Sequence, residues 1–204
     1  MRSLVFDTET TGKANFKGSL SDQPYIVQIA AILFDGRREV AHFSAITVPE
    51  FRGVRAPVPA EAMAVHGVTE ELIDSVGVSY KVALAVFQNL AKRADRLVAH
   101  NTEFDDLMVR AAYSRIAMEQ QVLWDLPKVC TMKSSESVLK LPGKYGYKWP
   151  SLAEAYQHFT GEGFEGAHDA MVDVRACARV LFGLEDAGHK LIHLPDHPMK
   201  GQQR

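Results

Sequence analysis

The chain has little of what marks several protein classes. Its 204 residues include only two cysteines, Cys130 and Cys177. They lie in apolar surroundings without metal-ligand spacing, which excludes a disulfide scaffold and a thiolate metal site and suits reduced, buried thiols in the cytoplasm. No apolar run is long enough to cross a bilayer, and Met1-Arg2 passes straight into a stretch that reaches acids after a few residues. Neither a membrane span nor a signal peptide is therefore expected. Positive charge is not in excess: 23 Lys and Arg stand against 25 Asp and Glu, a formal net charge of -2. Bulk basicity cannot draw a polyanion to this chain, and any such binding has to be local and metal-assisted. Internal repeats and low-complexity segments are absent as well. What is present is a hydrophobic fraction of 47%, enough for one substantial core. The expected organisation is one domain over residues 1–186 followed by a tail over residues 187–204.

Chemistry concentrates in three short contexts. In Leu4-Val5-Phe6-Asp7-Thr8-Glu9-Thr10-Thr11-Gly12 an apolar run meets polar residues and a glycine, as in a central strand that ends at a turn. Side chains two apart on a strand share a face, so Asp7 and Glu9 project together, roughly 6 to 7 Å apart by strand rise. Two carboxylates so placed repel each other unless a cation lies between them, and hard oxygen ligands suit Mg²⁺ or Mn²⁺. An isolated Asp-x-Glu is otherwise an ordinary polar strand end.

The second context, His100-Asn101-Thr102-Glu103-Phe104-Asp105-Asp106, follows a short apolar stretch and opens a helix. Phe104, Leu107, Met108, Ala111 and Ala112 recur at helical spacing, with Asn101 or Thr102 as the N-cap. Asp105 falls at the border of that apolar face, whereas Asp106 points away from it. Complementing the helix dipole is a sufficient role for Glu103 and Asp106. In the third context, Gly166-Ala167-His168-Asp169-Ala170-Met171-Val172-Asp173, a helix from about Asp169 onward carries Asp173 inside an apolar stripe of Ala170, Val174, Cys177, Val180 and Leu181. A lone carboxylate there is costly unless a distant cationic side chain or a bound cation compensates it. His168 precedes the helix, where the positive end of the dipole favours the uncharged ring that a general base needs.

Phe6-Asp7-Thr8-Glu9-Thr10-Thr11-Gly12, His100-Asn101-x-x-Phe104-Asp105 and His168-Asp169-Ala170-x-x-Asp173-Val174 resemble, in order, the three motifs of the DEDDh 3′-to-5′ exonucleases. Val65-His66-Gly67-Val68-Thr69 resembles a further segment of that family, and the similarity extends from Leu4 to about Leu184. The resemblance implies an α/β, ribonuclease H-like fold, a mixed five-stranded sheet flanked by helices. It implies Asp7, Glu9, Asp105 and Asp173 as ligands of two divalent metal ions, Mg²⁺ or Mn²⁺, with His168 as general base. A histidine five residues before the final aspartate places the chain with the histidine branch of the family. Thr10, His66 and Phe104 match positions that line the pocket for the terminal nucleotide. The implied reaction is hydrolysis of the terminal phosphodiester at single-stranded DNA or RNA 3′ ends, releasing nucleoside 5′-monophosphates, with the paired ions holding the attacking and leaving oxygens. A polymerase partner is one option that the resemblance brings. Cys130-Thr131 where many relatives have Asp-Thr, the extra charge of Glu103 and the long connection from Lys13 to Gln23 bear on substrate preference.

Strands are expected over Tyr25 to Phe34 and Glu39 to Val48, joined at Asp35-Gly36, with short strands at Leu97 to Ala99, parallel to the first, and at Lys128 to Cys130. Helices are expected near Pro59 to His66, Val78 to Arg93, Ser151 to Phe159 and Asp169 to Leu184. Lys140 to Pro150 interleaves lysines with aromatics, which suits either a nucleic-acid contact or an ordinary loop pinned by a buried Trp149. In the tail, His189, His193 and His197 recur every four residues, but Pro195 interrupts any helix that would align them, favouring a mobile or docking segment over a metal site. Two rivals remain. A haloacid-dehalogenase-like phosphatase would leave His168 and Asp173 unexplained, and a catalytically silent nucleic-acid-binding or polymerase-docking module would not need the complete acid set.

Overall fold

The computed structural model describes residues 1–118 and 125–194. Strand β1 (Arg2–Thr10) forms an antiparallel meander with β2 (Ile26–Asp35) and β3 (Arg38–Ile46). Gly36 turns the β2–β3 hairpin with φ +60°, a conformation that glycine adopts without steric cost. A two-stranded ribbon follows, β4 (Glu50–Phe51) with β5 (Val54–Arg55). Helices α1 (Ala60–His66), α2 (Glu70–Val76) and α3 (Tyr80–Ala91) then cross over to β6 (Arg96–Ala99), parallel to β1. Helix α4 (Thr102–Arg115), strand β7 (Lys128–Cys130) and helix α5 (Thr131–Leu139) come next. The small ribbon of β8 (Pro142–Gly143) and β9 (Gly146–Tyr147), then α6 (Leu152–Thr160) and α7 (Ala170–Asp186), complete the described elements.

The main sheet has the order β3-β2-β1-β6-β7. It is the mixed five-stranded α/β sheet that the sequence leads one to expect. Burial follows the layers: β2 is apolar and buried along nearly its whole length because helices or chain cover both faces, whereas edge strand β3 alternates. On one face Leu4, Phe6 and Ile29 pack against Leu84 and Phe87 of α3 and Met108 of α4. On the other, Val5, Ala30, Ile32 and Val98 pack against Val174, Cys177 and Leu181 of α7. Both cysteines are buried and free, as expected.

Several local expectations change. Helices α2 and α5 and the two small ribbons were not anticipated; the two helices are short and take their stability from tertiary packing more than from periodicity. Trp149 is 55% exposed and does not pin its loop by burial. The tail docks as extended chain on edge strand β7. Cys130 N–H donates to the Ile192 carbonyl at 3.0 Å, Leu194 N–H to the Lys128 carbonyl at 2.9 Å, and Ile192 N–H to Ser134 Oγ at 2.8 Å. Backbone groups that an open edge would present are thereby covered. His193 lies in this extended stretch, and Pro195 and His197 fall outside the described residues. No helix among the described residues is long and apolar enough to cross a membrane.

Candidate active site

Strand β1 delivers two carboxylates to one face. Its even-numbered residues Leu4 and Phe6 enter the core under α3 and α4, so the alternation of the pleat sends Val5, Asp7 and Glu9 toward α7. Pairing of β1 with β6 is registered only over Ser3–Val5 against Arg96–Val98, after which the chain turns into α4. The distal part of β1 is left with a free edge there, and Asp105 of α4 occupies it. Asp105 Oδ1 accepts hydrogen bonds from the Thr8 backbone N–H at 3.0 Å and from Thr8 Oγ1 at 2.8 Å. A carboxylate takes the place of a strand neighbour.

The third segment comes from the start of α7. Asp169 is the N-cap, its Oδ1 accepting from Met171 N–H at 2.9 Å and Val172 N–H at 3.2 Å. Gln28, opposite Glu9 in the β1–β2 register, accepts from Ala170 N–H through Oε1 at 3.2 Å and so ties the sheet to the helix start. Asp173, in the first turn, accepts from the His168 backbone N–H through Oδ2 at 2.9 Å, while its Oδ1 is buried without a partner. His168 has φ +72°, a left-handed backbone that is uncommon for a residue with a side chain and recurs where structure over-determines a functional loop. One ligand atom each from Glu9, His168 and Asp173 lies within 4.8 Å of the others.

The family model described as Exonuclease (RNase T) matches residues 4–181. This chain belongs to that exonuclease family. With its motifs and fold, it is a DEDDh-type exonuclease on a ribonuclease H-like sheet, and its coarse function is that of a nuclease. The exonuclease is 27% identical over 190 residues to the uncharacterized exonuclease CP81 of Escherichia phage 186, covering 91% of this chain and 89% of the phage protein. It is 27% identical to the DNA polymerase III subunit epsilon of Treponema pallidum, covering 87% of this chain and 73% of that subunit. Among solved structures, it superposes on exonuclease I of E. coli bound to single-stranded DNA with TM-score 0.71 at 20% identity, covering 91% of this chain and 40% of the other. Exonuclease X in complex with 5′ overhanging duplex DNA gives TM-score 0.61 at 20% identity, covering 92% and 94%.

The four carboxylates of the exonuclease face one another without a lysine or arginine ion-pair partner among the described residues. Their pKa values record it. Burial, then the charges of Asp105, Glu9, Asp173 and Asp169, push Asp7 well above the usual carboxylate range. Burial, then Asp173, Asp105 and Asp169, raise Glu9 to about 8. Burial lifts Asp105 to about 7 against the opposing Thr8 hydrogen bonds, and burial also raises Asp173 against the His168 contact. A polyvalent cation would reverse each of these shifts.

The remaining residues expected at the site are distributed unevenly. His66 Nδ1 accepts from Val68 N–H at 3.0 Å. Burial lowers its pKa; the Thr10 backbone opposes this and His168 adds to it, so His66, Thr10 and His168 are neighbours. Thr10 Oγ1 donates to the Gly12 carbonyl at 2.7 Å and shapes the turn after β1. Phe104 is half-buried against the core beside Asp105. Asp106 does not point to solvent as the helical pattern suggested: it is buried on an ion pair with Arg110 at 2.6 Å, with Lys128 at 3.6 Å. Thr8, Gln28 and Asp169 were not singled out from sequence. Gln28 carried a signal, a lone polar residue inside Ile26-Val27-Gln28-Ile29-Ala30.

Proposed function

We propose that this exonuclease removes nucleotides from single-stranded 3′ ends by hydrolysing the terminal phosphodiester, with nucleoside 5′-monophosphate as product. One observation carries the reading: carboxylates from three separate segments converge at the end of β1 with no lysine or arginine ion-pair partner among the described residues and with Asp173 Oδ1 buried and unpartnered. Hard oxygen donors, raised carboxylate pKa values and an orphaned oxygen fit divalent metal, and Asp7, Glu9, Asp105 and Asp173 are the residues that would hold it. Two Mg²⁺ or Mn²⁺ ions, when bound, supply activation of water and neutralisation of the charge that builds on the phosphoryl oxygens.

The chain's own residues do the rest. His168, exposed at the rim within reach of Glu9 and Asp173, accepts the proton of the attacking water as the new phosphorus–oxygen bond forms and the bond to the 3′ oxygen breaks. Asp173 holds the His168 backbone and so positions the ring. Thr8 fixes the Asp105 carboxylate. Thr10, His66 and Phe104 border the acids from β1, α1 and α4 and are assigned to the terminal nucleotide. DNA is the favoured substrate, because the exonuclease I and exonuclease X neighbours are DNA complexes and the Treponema relative is named for a DNA polymerase. That name also supports a polymerase as partner.

The test is digestion of a 5′-labelled single-stranded oligonucleotide with Mg²⁺ or with a chelator, beside RNA of the same sequence. A ladder that shortens from the 3′ end, mononucleotide product and silence with chelator are expected. Internal cuts, or digestion that persists in chelator, overturn the reading.

A further inference from the structure

The segment from Lys140 to Pro150 is absorbed by none of the chemistry above. It holds three lysines and three large aromatics and no acid, in a chain whose net charge is -2. It folds as the β8–β9 ribbon, with Pro142 opposite Tyr147, Gly143 opposite Gly146, and Lys144-Tyr145 at the tip. Gly143 lets the two strands of the ribbon approach closely, since a Cβ would meet the Lys148 backbone nitrogen at 3.0 Å, a tight contact. Lys148 N–H closes the base on the Leu141 carbonyl at 2.9 Å.

Two anchors fasten the ribbon to the loop that delivers Asp105. His100 bonds the Pro150 carbonyl through Nε2 at 3.0 Å and Thr131 Oγ1 through Nδ1 at 3.0 Å. Burial lowers the His100 pKa to about 4, so the uncharged ring donates at one nitrogen and accepts at the other. Lys133 pairs with Glu103 at 2.7 Å, two residues from Asp105, and lies 5.6 Å from the centre of the Trp149 ring. The base of the ribbon is thereby tied to the start of α4 and the loop before it, the segment that carries Asp105. Its rings are not consumed by packing: Tyr145 is 91% exposed, Tyr147 55% and Trp149 55%. Three exposed rings at alternate positions of one ribbon, interleaved with lysines, suit a ligand that stacks on rings and carries phosphate.

We infer that the β8–β9 ribbon is a docking platform for single-stranded DNA, which Tyr145, Tyr147 and Trp149 bind by base stacking and Lys140 and Lys144 by phosphate attraction, holding the strand that enters the active site. The inference deepens the exonuclease reading and rests on it for the choice of strand. Stacking needs bases that are not already paired, so the platform discriminates against duplex. Lys148 is held by Glu154 at 2.6 Å, so the local basicity that the ribbon adds comes from Lys140 and Lys144.

Fluorescence anisotropy of labelled dT12 in chelator tests this without hydrolysis, with a blunt duplex as control. Y145A/Y147A, at two exposed positions, raises the Kd for dT12 by about fivefold or more per ring and leaves the duplex value unchanged, whereas Y145F/Y147F binds as the parent does. K140Q/K144Q flattens the slope of log K against log salt by about 0.7 for each phosphate that is no longer neutralised. Equal dT12 binding by parent and Y145A/Y147A, an equal loss on the duplex, or no dT12 binding by the parent overturns the inference. Loss of dT12 affinity in a protein that cannot hydrolyse DNA would uphold the platform and reject the exonuclease reading; unaltered affinity in an active enzyme would do the reverse.

Discussion

Thr8 donates both its backbone N–H and its hydroxyl to one oxygen of Asp105, at 3.0 and 2.8 Å. A residue of the sheet thereby sets the position of a carboxylate carried by a helix packed on the opposite face from Asp7 and Glu9. The acid cluster can be assembled from two layers because β6 stops pairing with β1 before the strand ends.

Replacing Thr8 by Val keeps the shape and the backbone donor but removes the hydroxyl bond. Hydrogen bonds to charged groups contribute about 1.5 to 3 kcal/mol, so roughly a tenfold or greater fall in kcat/KM and weaker Mn²⁺ binding are expected. Thr8→Ser restores both, since it retains the hydroxyl. Mn²⁺ titrations of the variants check the contrast.

Glu9→Gln separates stability from activity. Removing one charge from an uncompensated cluster relieves repulsion, so the metal-free variant melts above the parent at pH 8 while its activity is lost. Thermal melts with and without Mn²⁺ show it. A lower melting temperature in chelator would mean that the Glu9 charge is already neutralised within the fold.

His168→Ala leaves the four carboxylates in place. General-base help is worth about 10² to 10⁴ in rate, so kcat falls in that range while the Mn²⁺-induced rise in melting temperature is largely retained. Asp7→Ala removes both. Parallel rate and melting measurements distinguish the two roles.

The raised carboxylates give a signed pH dependence. Their folded pKa values lie above the unfolded ones, so the folded protein binds more protons, and the stability they contribute is full below the unfolded values and is lost as pH rises through the folded ones. With Asp105 raised from 3.8 to about 7 and Glu9 from 4.5 to about 8, the melting temperature in chelator declines because of these groups as pH rises from the unfolded values toward the folded ones, and their contribution levels off above about 8. Mn²⁺ competes with protons for the same oxygens, so its stabilising effect is larger at about pH 8.5 than at about pH 5.5. Calorimetry across that range reads both trends.

Local signals in the sequence carry much of this. A buried parallel-type run ending in Asp7-x-Glu9, the hairpin at Gly36 and the apolar stripe interrupted by Asp173 each state their element and the odd residue in it, because strand and helix periods assign side chains to faces without reference to the rest of the chain. The long helices and the five main strands were legible for that reason. Among the short helices, α1 and α6 were legible from their local pattern, whereas α2 and α5 were not, since so few turns hold little periodicity and depend on what they pack against. Asp105 and Asp106 show the same divide: the wheel ranks both by angle, but only Arg110 and Lys128 nearby decide that Asp106 is buried on an ion pair.

The sequence alone determined which acids are out of place on apolar faces, and with them the family. Tertiary structure decided which distant groups meet: Thr8 on Asp105, Gln28 on the start of α7, the tail on the edge of β7 and the base of the ribbon on His100. Each joins residues far apart in the chain, and the distance between such groups is set by packing of whole layers, which no local pattern encodes.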